Sequence, residues 1–86
     1  MPTISRFFGI LIKMFFNDHA PPHFHVEYQD QKAVVGITTG EVIEGKLSQR
    51  VQRMVEEWRN LHVDELMEDW NLAMNKQLPK RIDPLE

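Results

Sequence analysis

Three of the chain's four histidines lie within seven residues, inside the segment NDHAPPHFHVEY at positions 17–28. Imidazole and carboxylate groups bind zinc, nickel and iron, and two histidines two residues apart on a strand share one face. The same groups transfer protons near neutral pH. The segment therefore carries the residue types of a divalent-metal site or of general acid–base catalysis, and its candidates are Asp18, His19, His23 and His25.

A proline pair separates the first of these histidines from the other two. Pro21 and Pro22 lock two φ angles, and a rigid turn of this kind would reduce the entropy lost in ordering a site around it. However, proline pairs and histidines are also common in plain turns and on solvated strand faces, and the spacing fixes no further protein ligand. A metal site, a catalytic histidine, and a structural or partner-facing role all stay open for His19, His23 and His25.

Three arginines are candidates for contact with phosphate or with a partner, namely Arg6, Arg50 and Arg53. Arg53 can also pair with Glu57 one helical turn later, which is the ordinary arrangement on an exposed helix face. The second predicted helix is acidic, through Asp64, Glu65, Glu68 and Asp69. Phosphates would repel such a helix, so we expect no sequence-specific DNA recognition, whereas RNA and a basic protein partner stay open.

Composition places the chain among small globular proteins. It has 86 residues, a net charge of −3, a pI near 5.8 and no cysteine, which argues against a general nucleic-acid coat and against disulfides. The apolar run at 7–16 is too short to span a bilayer and contains Lys13, so we expect no membrane segment and a cytoplasmic location. A core of this size supplies only about 3–5 kcal/mol of net stability, so we expect a small protein partner or a homo-oligomer to complete it.

The first half of the chain has the patterns of strands. Residues 4–16 are apolar on both faces, which predicts one buried or bent strand with Gly9 as a bulge. A later strand is predicted over 41–44 and should end at Gly45, since glycine weakens strands.

The segment HFHVEY predicts a strand between these two, because its apolar and polar residues alternate. Phe24 should point into the core, with the histidines on the other face. A two-residue turn at 30–31 would set Phe24 opposite Ile37 and His25 opposite Gly36. Since glycine has no side chain, the space over His25 would then be open.

The second half has helical periodicity. Ser48 is a good N-cap for a helix over about 48–61. The next apolar stripe is out of phase with the first, so we expect a break and a second helix over about 64–77 with Asp64 as its N-cap. A proline then begins a tail over 79–86.

These patterns predict the fold class. The expected architecture is α+β, with a small antiparallel sheet of three or four strands in the N-terminal half, within about residues 4–45. Two C-terminal helices should pack on one face of this sheet. The length fits a single domain over 1–86.

Five segments of the chain resemble one bacterial family. They are MPTISRFFGI, MFFNDHAPPHFHVEY, GEVIEGKL, VEEWRNLHVDELMEDW and RIDPL, and together they cover most of the sequence. The chain is thereby similar to the family filed as domain of unknown function 4160, whose most specific motif is the NDH-x-PPHFH block. Members are often encoded beside a second small protein, of domain of unknown function 2442, in pairs grouped as candidate toxin–antitoxin systems. The resemblance implies a bacterial cytoplasmic protein with a small protein partner, and a toxin component as a candidate role.

Three functions are consistent with these observations. The favoured one is a partner-binding protein in a toxin–antitoxin-like pair, because the core is small and the helices are rich in Met and Trp. The second is a metal-independent ribonuclease in which the histidines move protons and one of the three arginines stabilises phosphate charge. The third is a divalent-metal-binding domain that uses the three clustered histidines. No cofactor other than such a metal is expected.

Overall fold

Five strands lead into two helices in the computed structural model, which describes residues 2–16 and 18–86. The elements are β1 (Thr3–Phe7), β2 (Ile10–Lys13), β3 (His23–Tyr28), β4 (Gln31–Gly36), β5 (Val42–Lys46), α1 (Gln49–Leu61) and α2 (Val63–Met74). The strands form one antiparallel sheet in the order β1-β2-β3-β4-β5. The α+β prediction is confirmed, but the sheet has five strands rather than three or four. Asn17, which directly follows the predicted first strand, lies outside the described residues.

The additional strand comes from the N-terminal segment, which forms a hairpin rather than one bulged strand. Phe8 and Gly9 have φ angles of 49° and 81°, and they reverse the chain so that Phe7 pairs with Ile10. Positive φ angles at both central residues match the right-handed twist of a two-residue hairpin turn. The prediction of a bulge was wrong because Gly9 serves a turn instead.

The turn between β3 and β4 lies one residue earlier than predicted, which shifts the pairing of the two strands by two residues. Tyr28 pairs with Gln31, so the turn is at residues 29–30, and His25 lies opposite Val34 rather than Gly36. Gln31 enters the strand, and its Oε1 accepts a hydrogen bond of 2.7 Å from the backbone N–H of Ser48. A shift of two residues keeps every side chain on its predicted face, because the period of a strand is two.

Gly45 lies inside β5 and does not end it. Its φ angle is 79°, and a β-carbon there would collide with the backbone carbonyl oxygen of Lys32 on β4. The pairing of β4 with β5 also shifts between Val34 and Val35, which marks a bulge. Glycine at position 45 therefore lets β5 stay paired with β4, and the bulge falls two residues earlier, at Ile43.

The helix boundaries follow local chemistry. Ser48 caps α1 as predicted, with its Oγ accepting a hydrogen bond of 3.4 Å from the N–H of Val51. His62 lies between the helices as the C-cap of α1 and the N-cap of α2, so Asp64 falls inside the first turn of α2 and is not its cap. The second helix ends at Met74, three residues before the predicted end.

The core lies between one face of the sheet and the two helices. Its fully buried side chains include Phe24 and Val26 from β3, Val51 and Val55 from α1 and Leu66 from α2. The predicted inward orientation of Phe24 is confirmed.

The tail passes beside β1. The N–H of Ile82 donates a hydrogen bond of 2.8 Å to the carbonyl oxygen of Ile4, and Trp58 Nε1 donates one of 2.8 Å to the carbonyl oxygen of Asp83. The tail thus covers β1 without forming a strand, while β5 has no neighbouring strand on its outer side in the described ranges. None of the helices described is long and apolar enough to cross a bilayer.

Candidate metal centre

The start of β3 and the loop before it bring one carboxylate and two imidazoles together. His23 and His25 are two residues apart on β3, so their side chains leave the strand on the same side. The loop after β2 places Asp18 beside them, with Oδ2 2.7 Å from His23 Nε2 and 3.1 Å from His25 Nε2. The three ligand atoms lie within 4.8 Å of one another. The arrangement is a cluster of one carboxylate and two imidazoles, each offering one atom to a common point.

Both ring nitrogens of His23 face oxygen acceptors. Nδ1 lies 2.7 Å from the carbonyl oxygen of Pro21, and a carbonyl can only accept, so Nδ1 carries hydrogen. In the neutral ring Nε2 then holds a lone pair that points at the Asp18 carboxylate. That contact is favourable only when a proton or a cation lies between the two atoms. Metal-binding histidines are commonly held in this way, with the other nitrogen donating to a backbone carbonyl.

Aromatic packing fixes the two imidazoles. The ring of His25 stacks obliquely on Phe15, with 4.2 Å between centroids, and meets the ring of His23 edge-on at 5.2 Å. On its far side His23 contacts Trp70 of α2 at 5.0 Å, and its side chain is only 9% exposed. The sequence pattern had placed His23 on an exposed face. Burial by the preceding loop and by Trp70 accounts for the difference.

The carboxylate of Asp18 is held at both oxygens. Oδ1 accepts a hydrogen bond of 3.2 Å from the backbone N–H of His19, which leaves Oδ2 for the histidines. Burial is the largest single influence and acts against ionisation. However, hydrogen bonds from His25 and His23 and the charge of His23 together outweigh it and hold the pKa of Asp18 below its ordinary value of 3.8. The carboxyl is therefore ionised near neutral pH, as a metal ligand must be.

The remaining candidates from the sequence lie elsewhere. The imidazole of His19 is 94% exposed, and its Nδ1 comes no closer to Asp18 than 3.8 Å, at the oxygen that the histidine pair does not use. Arg6, Arg50 and Arg53 are exposed, and none of them lines a cleft at the cluster in the ranges described. The structure thus brings together Asp18 and two of the three histidines, without His19 and without the arginines.

Two clefts meet beside the cluster on the sheet face that the helices leave uncovered. One, of about 340 Å³, is lined by Asp18, by both clustered histidines and by Val34 and Glu44. The other cleft, of about 420 Å³, shares His25, Val34 and Glu44 with the first and is also lined by Phe15 and Lys32. A ligand larger than water can therefore reach an ion held by the cluster.

Four residues around the site were not among the candidates that the sequence suggested for it: Phe15, Val34, Glu44 and Trp70. The correct turn between β3 and β4 would have set Val34 beside His25, and pairing with β5 then adds Glu44. Trp70 had no local signal, because its contact with His23 crosses 47 residues of chain and depends on helix packing.

Comparison with known proteins identifies the family. The model described as Domain of unknown function (DUF4160) matches residues 9–71, so the chain belongs to this family. The matched region includes the whole cluster and both of its aromatic neighbours. No curated protein and no solved structure matches the chain.

Proposed function

We propose that this member of the domain-of-unknown-function 4160 family is a divalent-metal-binding domain whose ligands are Asp18, His23 and His25. The observation that carries the proposal is the double engagement of His23. Its Nδ1–H is held by the carbonyl of Pro21, which turns the lone pair of Nε2 to the point shared with the other two ligand atoms. An ion at that point replaces the proton that the contact otherwise needs.

The spacing of the ligand atoms suits a small ion. Ligands about 2.0–2.1 Å from a tetrahedral zinc are about 3.3 Å from each other. The Oδ2 atom of Asp18 lies 2.7 and 3.1 Å from the two nitrogens, and all three atoms lie within 4.8 Å of one another, so the three side chains need to adjust their positions to reach this spacing around an ion. One carboxylate with two imidazoles is also a ligand set used by Fe(II), so zinc and iron are the first ions to test.

The site has the character of a working centre rather than a structural one. Structural zinc sites are closed by four protein ligands, whereas catalytic sites have three and keep a position for water or substrate. Among the described residues the cluster offers three ligands, and the open side faces the two clefts. The hydrogen bonds around the ligands also match those of metal sites. The carbonyl of Pro21 orients His23, and the backbone N–H of His19 orients Asp18.

Calorimetric titration of tag-free protein with zinc chloride tests the proposal. We expect one equivalent to bind to the wild type. Losing an outer contact commonly weakens a metal site about 10–100-fold, so His25→Ala and Asp18→Asn should each weaken binding by at least about a hundredfold. His19→Ala is the matched control, because its imidazole is exposed in the same loop, and it should bind as the wild type does.

Circular dichroism of each variant establishes that it is folded. Wild-type binding below about a tenth of an equivalent would contradict the proposal, because dedicated sites bind zinc tightly. Equal weakening by His19→Ala and His25→Ala would contradict the ligand assignment.

A second candidate function is partner binding in a toxin–antitoxin-like pair, in the cytoplasm. It is supported by large apolar side chains on the surface, with Phe8 59%, Leu61 67% and Leu78 72% exposed, and by the uncovered edge of β5. Co-expression with the neighbouring protein followed by size-exclusion chromatography with light scattering tests it. A complex of the two proteins is expected. A lone monomer would contradict partner binding, and a homo-oligomer without the neighbouring protein would indicate self-association instead of a pair.

A further inference from the structure

The sheet face opposite the helices, here called the open face, carries a row of side chains across all five strands, here called the basic row because its members on β1, β4 and β5 are basic. Cross-strand partners share a face, so the pairing places Arg6, Leu11, Glu27, Lys32 and Lys46 in one row. The row spans four strand spacings, about 19 Å. Arg6, Lys32 and Lys46 are exposed and form no ion pair with any described residue.

The metal centre lies in the next row of the same face. Lys13, His25, Val34 and Glu44 are paired in order across β2 to β5, about 7 Å along the strands from the basic row. Lys13 neutralises Glu27 of the first row through an ion pair of 3.1 Å. A bound divalent ion would outweigh the single charge of Asp18. Glu44 adds one further negative charge to this face, so four basic side chains face three carboxylates even without an ion. The open face is therefore net positive, although the whole chain has a charge of −3.

We infer that the open face binds single-stranded nucleic acid, with its backbone along the basic row and one phosphate oxygen on the metal; the inference rests on the proposed metal function. The net positive charge of the open face favours an anionic ligand. The length of the basic row, about 19 Å, favours an extended polyanion over a small molecule. Single-strand sites combine basic side chains with aromatic ones, and Phe15 lines the cleft beside His25.

Fluorescence anisotropy with a labelled single-stranded 12-mer tests the inference, using RNA and DNA of one sequence and the zinc-loaded protein. The key variant is Lys32→Gln with Lys46→Gln. The control is Arg50→Gln with Arg53→Gln, which removes the same charge from the exposed surface of α1. We expect the lysine variant to weaken binding on the order of tenfold and to lower the slope of log K against log salt by about 1.4. The arginine control should change binding by less than twofold.

Several results would overturn the inference. Equal weakening by both double variants would show general electrostatic attraction, and tighter binding of a duplex of the same length would exclude the single-strand assignment. The absence of binding at low salt would exclude nucleic acid altogether. The metal contact predicts weaker binding in EDTA, and cleavage of the RNA in EDTA would instead favour the metal-independent ribonuclease.

Zinc titration of the same variants separates this inference from the proposed function. Both double variants should bind zinc as the wild type does, because neither changes a ligand. Normal zinc binding with no effect of the lysine changes on the oligonucleotide would refute only the nucleic-acid inference. Absence of zinc binding in the wild type, with the lysine effect retained, would refute the metal proposal together with the phosphate–metal contact, and would leave only the basic row as a nucleic-acid site.

Discussion

The indole of Trp70 packs on the imidazole of His23, with 5.0 Å between the ring centroids and 54° between the planes. The contact joins α2 to the first residue of β3, so the helical layer helps to hold a proposed metal ligand in place. A ligand whose orientation is fixed before the ion arrives loses little entropy on binding. Because the indole of Trp70 contacts this ligand, its fluorescence can report metal binding.

Open-shell metal ions should quench the fluorescence of this indole, because they deactivate excited indoles at short range. We expect one equivalent of Co²⁺ or Cu²⁺ to reduce wild-type emission and Trp70→Phe to lose most of that reduction. Trp58, the other tryptophan of the chain, remains as an internal reference in the variant. The site would be contradicted if the ion reduced the emission of Trp70→Phe, or of His25→Ala, as much as it reduces that of the wild type.

Glycine at position 45 should be required by the sheet. Gly45→Ala places a β-carbon against the Lys32 carbonyl at a φ of 79°, so we expect a loss of about 2–4 kcal/mol in the free energy of unfolding. Gly9→Ala is the matched comparison, because its φ is 81° but its β-carbon would meet only the Tyr28 side chain, at 3.3 Å. It should cost about 1 kcal/mol. Urea denaturation measures both, and equal losses would contradict the role of the carbonyl contact.

Stability should depend on pH through Asp69. Burial, together with repulsion from Glu68 and Glu65, raises the pKa of this carboxyl above its ordinary 3.8. The backbone N–H and the charge of Lys80 lower the pKa, but they do not outweigh burial. The folded state then holds the proton more tightly than the unfolded state, so this group's contribution to stability falls as pH rises from 3.8 through the raised pKa.

Asp69→Asn removes that dependence while its amide oxygen can still accept from the Lys80 N–H. The free energy of unfolding of the variant minus that of the wild type should therefore increase between acid and neutral pH. Urea denaturation across that range measures the difference. A difference that stays constant or decreases would show that ionisation of Asp69 does not oppose folding.

Sequence patterns were sufficient where the determining interactions are local. Alternation in HFHVEY placed Phe24 in the core, and the hydroxyl of Ser48 marked the start of α1. The change of helical phase predicted a break between two helices, and the break falls at His62. The predicted turn at 30–31 was wrong, because a turn at 29–30 keeps the same face buried and the side chain of Gln31, which bonds to Ser48, favours the earlier turn.

The composition of the cluster was only half predictable. The spacing of His23 and His25 requires a shared face, but which side chain of the preceding loop joins them depends on the path of the chain through the two prolines. That path turns Asp18 inward and leaves His19 in solvent. Exposure of His23 was also misjudged, since Trp70 reaches it from the far end of the sequence.

Crystallography of the zinc-bound, tag-free protein with an anomalous difference map at the zinc edge tests the central claim most directly. We expect one strong peak about 2.0–2.1 Å from Nε2 of His23 and of His25 and about 2.0–2.2 Å from Oδ2 of Asp18, with water or another non-protein ligand completing the coordination. A peak coordinated by His19, or no peak between Asp18 and the two β3 histidines, would contradict it.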